Sequence, residues 1–343
     1  MIIETLTSKD EKLWDEYGSE HPLTTFYHQI NWKSLIEATY ARYFTPLYLI
    51  AKNKGVLKGI LPVYFYKHPL FGKKLISLAF ASHGGPCADD DDVANQLIQE
   101  AVRLTKNLNA GFYELRDSIQ HPGEFNIIQE YCTQHLMLRD DIDTIFSRLS
   151  TNIRRNLKKS FSLDIRTEFN SSEFDTFYRI YTTGLHNLGT PIHKETWIKN
   201  IFKLFPDQHE LVISYYRNEP VSVQMIRKFR RTITGIFGYA LPEFRYVYAN
   251  HCLHWELIKY AHDNEYQIYD FGRSRIGGGV YEFKRKWGAR DIPLYNHFYM
   301  HRSKTSVDTG QANPARGKFA KLWRKLPLPL ANSLGPLIRK NYP

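Results

Sequence analysis

The sequence predicts a mixed α/β protein of two similar domains in tandem, on three observations: its length, a strand hairpin that occurs twice, and a helix-then-strand segment after each hairpin. At 343 residues the chain exceeds one ordinary core and suits two domains of about 150–170 residues each. Hydrophobic residues at 43% and aromatic residues at 15% supply buried cores and exclude general disorder.

The first hairpin is LYLIAKNKGVLKGILPVYF at 47–65, two strand-like runs joined by a turn around Asn53 to Gly55. The second is ELVISYYRNEPVSVQMIRKF at 210–229, with its turn at Asn218 to Pro220. A further strand-like run, a loop, an amphipathic helix and a strand follow each, ending in LIQEAVRLTKNLNAGFYELRDS at 97–118 and LHWELIKYAHDNEYQIYDFGRS at 253–274. Leu97, Ala101 and Leu104 in one copy, and Leu253, Leu257 and Tyr260 in the other, recur at helical spacing. The endings YELRDS and YDFGRS correspond, so the pattern implies an internal duplication in which 47–118 and 210–274 superpose. Domains are expected at 1–148 and 149–303, followed by a basic amphipathic tail at 304–343.

The net charge of +11 is concentrated at the end, where the residues after His301 hold nine Lys or Arg against Asp308 alone. In the tail, Phe319, Leu322, Trp323 and Leu326 gather on one side of a helix, with Lys318, Lys321, Arg324 and Lys325 flanking them, until Pro327 and Pro329 stop it. Two readings stay open for that helix: it lies on an anionic membrane surface, or it packs on the second domain. A second basic run, LSTNIRRNLKKSFSLDIRTE at 149–168, puts Arg154 above Lys158 and Arg155 above Lys159 on one helical face, a stripe suited to phosphate or to plain solvation.

The N-terminal residues lack a basic start followed by an apolar run, and no stretch is long and apolar enough to span a bilayer, so a cytoplasmic location is expected, with peripheral membrane contact if the tail binds lipid. Cys87, Cys132 and Cys252 show neither CxxC nor metal-ligand spacing, which fits a reducing compartment. No zinc motif, P-loop, DxDxDG loop or Ser-His-Asp order stands out, so no metal and no resident cofactor are expected. Asp89 to Asp92 read as a cap for the following helix, whereas His83 with Gly84 and Gly85 suits substrate positioning.

The hairpin and helix order, NIRRNLKK at the opening of the second half, and YDFGRS followed by FKRKWG resemble the Fem-like proteins, which carry two GNAT-like acyltransferase domains. GLHNLGTP at 184–191 and WRKLPLPLANSLGP at 323–336 are similar to the FemAB-related group found near exopolysaccharide and exosortase (PEP-CTERM) loci. The resemblance implies transfer of an aminoacyl or other acyl group onto an amine of a cell-envelope precursor, either an exopolysaccharide or a peptidoglycan-like one. It implies a carrier-linked acceptor, and a donor that is charged tRNA or acyl-CoA. A Phe-Lys pair of the family lies in the substrate channel, its lysine at the reacting centre, and this pair maps onto Phe283 and Lys284. Trp287 and Gly288 stand where bridge-forming relatives have glycines, and 246–261 lacks the glycine-containing loop on which GNAT enzymes hold the CoA pyrophosphate.

Around that pair, Arg273, Arg275 and the backbone at Gly278 make a turn flanked by cations, suited to a diphosphate or carboxylate or serving only as a hairpin turn. Strand alternation would place an exposed Lys284 and Lys286 on one face, Phe283 and Arg285 on the other. Lys284 is the expected oxyanion stabiliser; Asp270 and Glu282 are the available bases, with no partner that fixes either role. A non-catalytic scaffold for an anionic glycolipid is the rival reading, and a nucleic-acid-binding protein a third, disfavoured by the lack of a recognised motif.

Overall fold

The structure, a computed structural model, describes residues 1–302 and 314–341. Two compact units form: Met1–Glu130 with Pro293–Gly310 and Lys340–Pro343, and Tyr131–Ile292 with Gln311–Arg339. The first unit runs β1 (Ile2–Thr5), α1 (Glu11–Glu20), α2 (Ile30–Tyr40), β2 (Phe44–Pro46), β3 (Leu49–Asn53), β4 (Val56–Leu61), β5 (Tyr64–His68), β6 (Gly72–Ile76), β7 (Cys87–Ala88), α3 (Asp91–Asn107) and β8 (Phe112–Asp117). Its strands pair in the orders β1-β3-β4-β7 and β8-β6-β5-β2.

β9 (Asn126–Met137) carries the chain into the second unit, which continues with α4 (Ile142–Arg148), α5 (Thr151–Phe161), β10 (Ile165–Phe169), α6 (Phe174–Leu188), α7 (Glu195–Leu204), β11 (His209–Tyr216), β12 (Glu219–Phe229), β13 (Thr232–Ala240), α8 (Ala249–Asp263), β14 (Ile268–Asp270), β15 (Ser274–Arg275) and α9 (Gly279–Arg285). β16 (Arg290–Met300) returns to the first unit and pairs with β8; α10 (Pro314–Trp323) and α11 (Leu328–Arg339) end the chain. In the second unit the strand order is β10-β11-β12-β13-β14-β9, antiparallel except for the parallel pair β13 and β14. The order strand, two helices, hairpin, helix, strand therefore occurs as β1, α1, α2, β3, β4, α3, β8 and again as β10, α6, α7, β11, β12, α8, β14. The units part elsewhere than the expected boundaries at 148 and 303, because β9 and β16 both run through the divide; residue 304, the expected start of the tail, lies outside the described residues.

Local chemistry accounts for these elements. Each hairpin turns through two consecutive residues with positive φ, Lys54 and Gly55 in one and Arg217 and Asn218 in the other, the geometry that matches strand twist. The second turn thus sits slightly ahead of the expected Asn218 to Pro220. Asp90 caps α3 by accepting from Val93 N at 2.8 Å, with Asp91 and Asp92 in the first turn. Val93, Leu97, Ile98, Ala101 and Val102 of α3 bury against β3 and β8, while Leu253, Leu257, Ile258 and Ala261 of α8 enter the core of the second unit. All three cysteines are buried thiols.

The tail corrects one expectation and divides another. α10 ends at Trp323, ahead of Pro327, yet the prolines do not end helical structure, since α11 begins at Leu328. Trp323 is buried at 3% exposure while Leu322 is 66% exposed, so the four apolar side chains do not act as one face. Leu326 O accepts from His186 Nε2 at 2.9 Å, and Ala320 lies so close to Gly189 that a Cβ there would meet it at 2.7 Å. These contacts fasten α10 to the end of α6.

Candidate active site

The second unit builds its polar centre where β14 ends. Asp270 is buried and its Oδ1 accepts from Thr133 Oγ1 of β9 and from Gly272 N at 2.8 Å; His135 Nε2 stands 3.8 Å away. These bonds curl the chain tightly after the strand. Gly272 adopts φ +75°, and a Cβ there would come within 2.6 Å of Gly235 O, so only glycine fits. Its carbonyl is turned towards α9, where Lys284 Nζ donates to Gly272 O at 2.8 Å and to Arg273 O at 3.5 Å.

Residues 279–285 are helical, which overturns the strand alternation expected for 283–286. Gly277 takes φ +75° and Gly278 N–H donates to Arg275 O at 3.1 Å, so the glycines start α9 instead of turning a β-hairpin. The helical period sends Lys284 inward and Arg285 and Lys286 outward. Lys284 is 7% exposed, not an exposed channel lysine. Burial drives its amine down to about 8, against the opposing pull of the Asp270 carboxylate and the Cys132 sulfur. The Cys132 thiol itself is pushed up to about 11 by burial.

Beneath Lys284 lies an aromatic layer. Trp287 is wholly buried, with Phe271, His254 and Phe283 centred 5.9, 5.9 and 6.0 Å from it. His254 Nδ1 and Tyr269 Oη share a hydrogen bond of 2.8 Å, and His251 Nε2 is 3.2 Å from Asn156 Nδ2 of α5. Burial depresses both histidines, His251 to about 4 and His254 to about 3, the latter helped by the Lys284 charge. Both rings are therefore neutral at pH 7. On the other side, Gln134 Nε2 donates to Asp291 Oδ1 at 3.1 Å and Tyr281 Oη donates to Asp291 Oδ2 at 2.7 Å, bracing α9 against β9.

Of the site residues expected from sequence, Lys284, Phe283, Trp287, Gly278, Arg273, Arg275 and Lys286 fall in this one segment. Arg273 is exposed and stacks on Tyr131 at 3.7 Å; Arg275 and Lys286 are exposed; Phe283 is half-buried. Trp287 underlies the centre as core rather than lining a surface. Glu282, one of the two candidate bases, is exposed beside Arg285 at 3.7 Å, and Asp270 already accepts from Thr133 and Gly272. Arg154 lies on α5, where it lines an open concavity of about 600 Å3 with Phe146, Thr151, Arg155, Lys158, Lys159 and Ser162. No carboxylate lines it. His83 belongs to the first unit, half-buried, its Nδ1 bonded to Ser82 Oγ at 3.1 Å.

Sequence reasoning missed Thr133, Gln134, His251, His254 and Asp291. Two of them had a visible signal, since His251 and His254 share one face of an amphipathic helix. Thr133 and Gln134 had none, because β9 reaches Asp270 across 137 residues of sequence. Among the described residues no group of acids, histidines and cysteines is arranged to hold a metal ion, and no helix is long and apolar enough to cross a membrane.

Residues 147–285 match the family model described as Acetyltransferase (GNAT) domain. No curated protein matches the chain by sequence. Among solved structures, FemX is similar with a TM-score of 0.68 at 14% identity, over 88% of this chain and 98% of that one. A tandem GNAT protein from the clavulanic acid biosynthesis pathway has a TM-score of 0.55 at 7% identity, covering 89% and 99%. L-PGS from Bacillus licheniformis has a TM-score of 0.54 at 11% identity, covering 95% and 100%. The chain thus has a mixed α/β fold of the tandem GNAT type, in which residues 147–285 match the GNAT acetyltransferase model.

Proposed function

We propose that this protein is an N-acyltransferase that moves an acyl or aminoacyl group onto an amine of a carrier-linked cell-envelope precursor, with Lys284 at the reacting centre. The observation that carries this reading is a buried lysine, held by a backbone carbonyl at the end of β14 inside the GNAT domain, with its ionisation brought down to about 8. Structural lysines have little reason to be held this way, whereas catalytic groups are tuned towards the working pH.

Attack of an amine on an ester or thioester carbonyl forms one C–N bond and a tetrahedral oxyanion, which collapses by breaking the bond to the carrier. The ammonium of Lys284 donates one N–H to Gly272 O and a longer one to Arg273 O, and has a third for the oxyanion and then for the departing oxygen or sulfur. The nucleophile's own proton is left to solvent or substrate, since Asp270 is engaged by Thr133 and Gly272. The cationic, carboxylate-free concavity on α5 suits the phosphates of a charged tRNA or of a diphosphate-linked acceptor. Arg273 and Arg275 suit the same chemistry. At the head of α8, Tyr248 occupies the left-handed N-cap and no glycine is present, which favours the aminoacyl donor over acyl-CoA. The likeness to the FemAB-related group associated with exopolysaccharide loci points to an exopolysaccharide acceptor.

The test is mass spectrometry of the envelope polysaccharide and peptidoglycan from cells with the wild-type protein, with Lys284→Met and without the protein. Loss of the same acyl substituent in the last two supports the reading; an unchanged envelope in both sets it aside.

A further inference from the structure

We propose that the β5–β6 hairpin of the first unit is a membrane-surface anchor whose tip, Leu70 and Phe71, inserts among the lipids of an anionic bilayer. Leu70 is 85% exposed, the highest value of any large apolar side chain among the described residues, and Phe71 next to it is 59% exposed. Isolated exposed leucines are ordinary, but two adjacent large ones at a turn are a feature to explain. This tip is also preorganised. His68 Nδ1 accepts from the backbone N–H of Leu70 at 3.1 Å and of Phe71 at 3.3 Å, and its ring packs on Phe71, Tyr66 and Tyr43 at 4.8, 6.2 and 5.3 Å.

Cations surround the tip. Lys67 and Lys73 face each other directly across the two strands, both exposed, an arrangement that costs stability in an isolated sheet. Arg42 lies over Tyr43 at 5.8 Å, and Lys340 Nζ donates to Tyr43 Oη at 2.9 Å. Arg42, Lys67, Lys73 and Lys340 form no ion pair with a carboxylate among the described residues. Between Glu37 and Asp89 the chain has no acidic residue; of its cations there, Lys52 and Lys58 are ion-paired away from the tip, with Glu4 and Asp10 and with Asp89, and Arg42, Lys67, Lys73 and Lys74 lie on or beside this hairpin. An apolar tip ringed by like charges complements a surface that is apolar inside and negative outside; a protein groove would need only the apolar part. This inference does not depend on the acyl-transfer chemistry, although it would hold the enzyme beside a lipid-linked acceptor.

Co-sedimentation of the full chain with phosphatidylcholine vesicles, with and without one quarter phosphatidylglycerol, tests it. Binding is expected with the anionic vesicles only, weakened by salt. The double variant L70S/F71S should lower the partition coefficient tenfold or more, and K67Q/K73Q should lower it by about fivefold for each cation removed. L70S/F71S should keep the wild-type melting temperature, because neither side chain is buried, and K67Q/K73Q should keep it or raise it slightly by relieving the repulsion between the two lysines. The idea is overturned if L70S/F71S binds as the wild type does, or if the full chain ignores anionic vesicles. It is equally overturned if only a variant of the exposed Leu330, Leu334 and Leu337 of α11 loses binding, or if sedimentation velocity shows the tip to join two copies of the chain.

Discussion

The ends of β8 and β14 close the same succession of elements in the two units, and they handle buried charge in opposite ways. At β8, Glu114 and Arg116 form a buried ion pair at 2.7 Å, and Asn296 donates to Glu114 at 2.7 Å. Burial by itself would raise the Glu114 carboxyl, but the Arg116 charge and these hydrogen bonds overcome it and bring it down to about 2. At β14, the buried cation Lys284 touches carbonyls, and the nearby carboxylate Asp270 is bonded to Thr133 and Gly272 instead. A charge that meets its counterpart is locked in its ionised form; one buried without a directly bonded counter-ion is pushed by desolvation towards its neutral form. The first arrangement is a structural clamp and the second is a centre able to exchange a proton.

The sharpest way to break the comparison is to turn the clamp into an unpaired charge. Arg116→Met should cost about 3–5 kcal/mol, since it strands a buried carboxylate. Its pH dependence should also reverse. In the wild type the depressed Glu114 adds stability that is present above the unfolded value and lost as pH falls from about 4.5 towards 2. In the variant, acidification should relieve the stranded charge and narrow the gap from the wild type. Urea titrations at pH 7 and pH 4 would show whether the gap narrows or widens.

At β14 the same operation should harm activity and spare the fold. Lys284→Met is expected to lower the acyl-transfer rate roughly 100-fold or more while leaving the melting temperature equal or higher, because it removes a desolvated cation. The folded lysine sits near 8, below its usual 10.5, so the native state binds fewer protons than the unfolded chain between those values and wild-type stability rises with pH there. Activity should fall as pH rises through about 8, when Lys284 loses the proton offered to the oxyanion. A rate that keeps rising past pH 9 would assign the lysine a basic role instead.

Two glycines sharpen the picture further. Gly272→Ala should destabilise by about 2–3 kcal/mol, combining left-handed strain with the collision at Gly235 O, whereas Gly277→Ala, with the same φ and open space around it, should cost about 1 kcal/mol. Similar melting points for the two would mean that the loop after β14 is not tightly held. The aromatic layer adds a pH dependence: His251 and His254 are neutral in the native protein and take protons when unfolded, so they contribute stability above pH 6.5 that drains away as pH falls towards 4. Denaturation between pH 7 and pH 5 should show the decline, and His251→Gln should shallow it.

Much of the architecture could be read in the sequence because it is local. Paired turns, the 3.6-residue rhythm of α3 and α8, the Asp90 cap and the basic face of α5 are each set by residues within a few positions of one another. Lys284 was legible through the company it keeps in the chain, FKRKWG after YDFGRS. Its environment was not. Residues 279–285 are helical although glycines precede them, because Tyr281 and Lys284 find partners in Asp291 and Gly272 that a strand would not meet. Likewise Trp323 is buried and Leu322 exposed because only one side of α10 is covered. Composition and spacing determine which elements form and which residues travel together. Which carbonyl faces a buried amine, and so where that amine titrates, is decided when β9, arriving from more than a hundred residues away, closes against β14 and shuts out the water that would otherwise equalise every lysine.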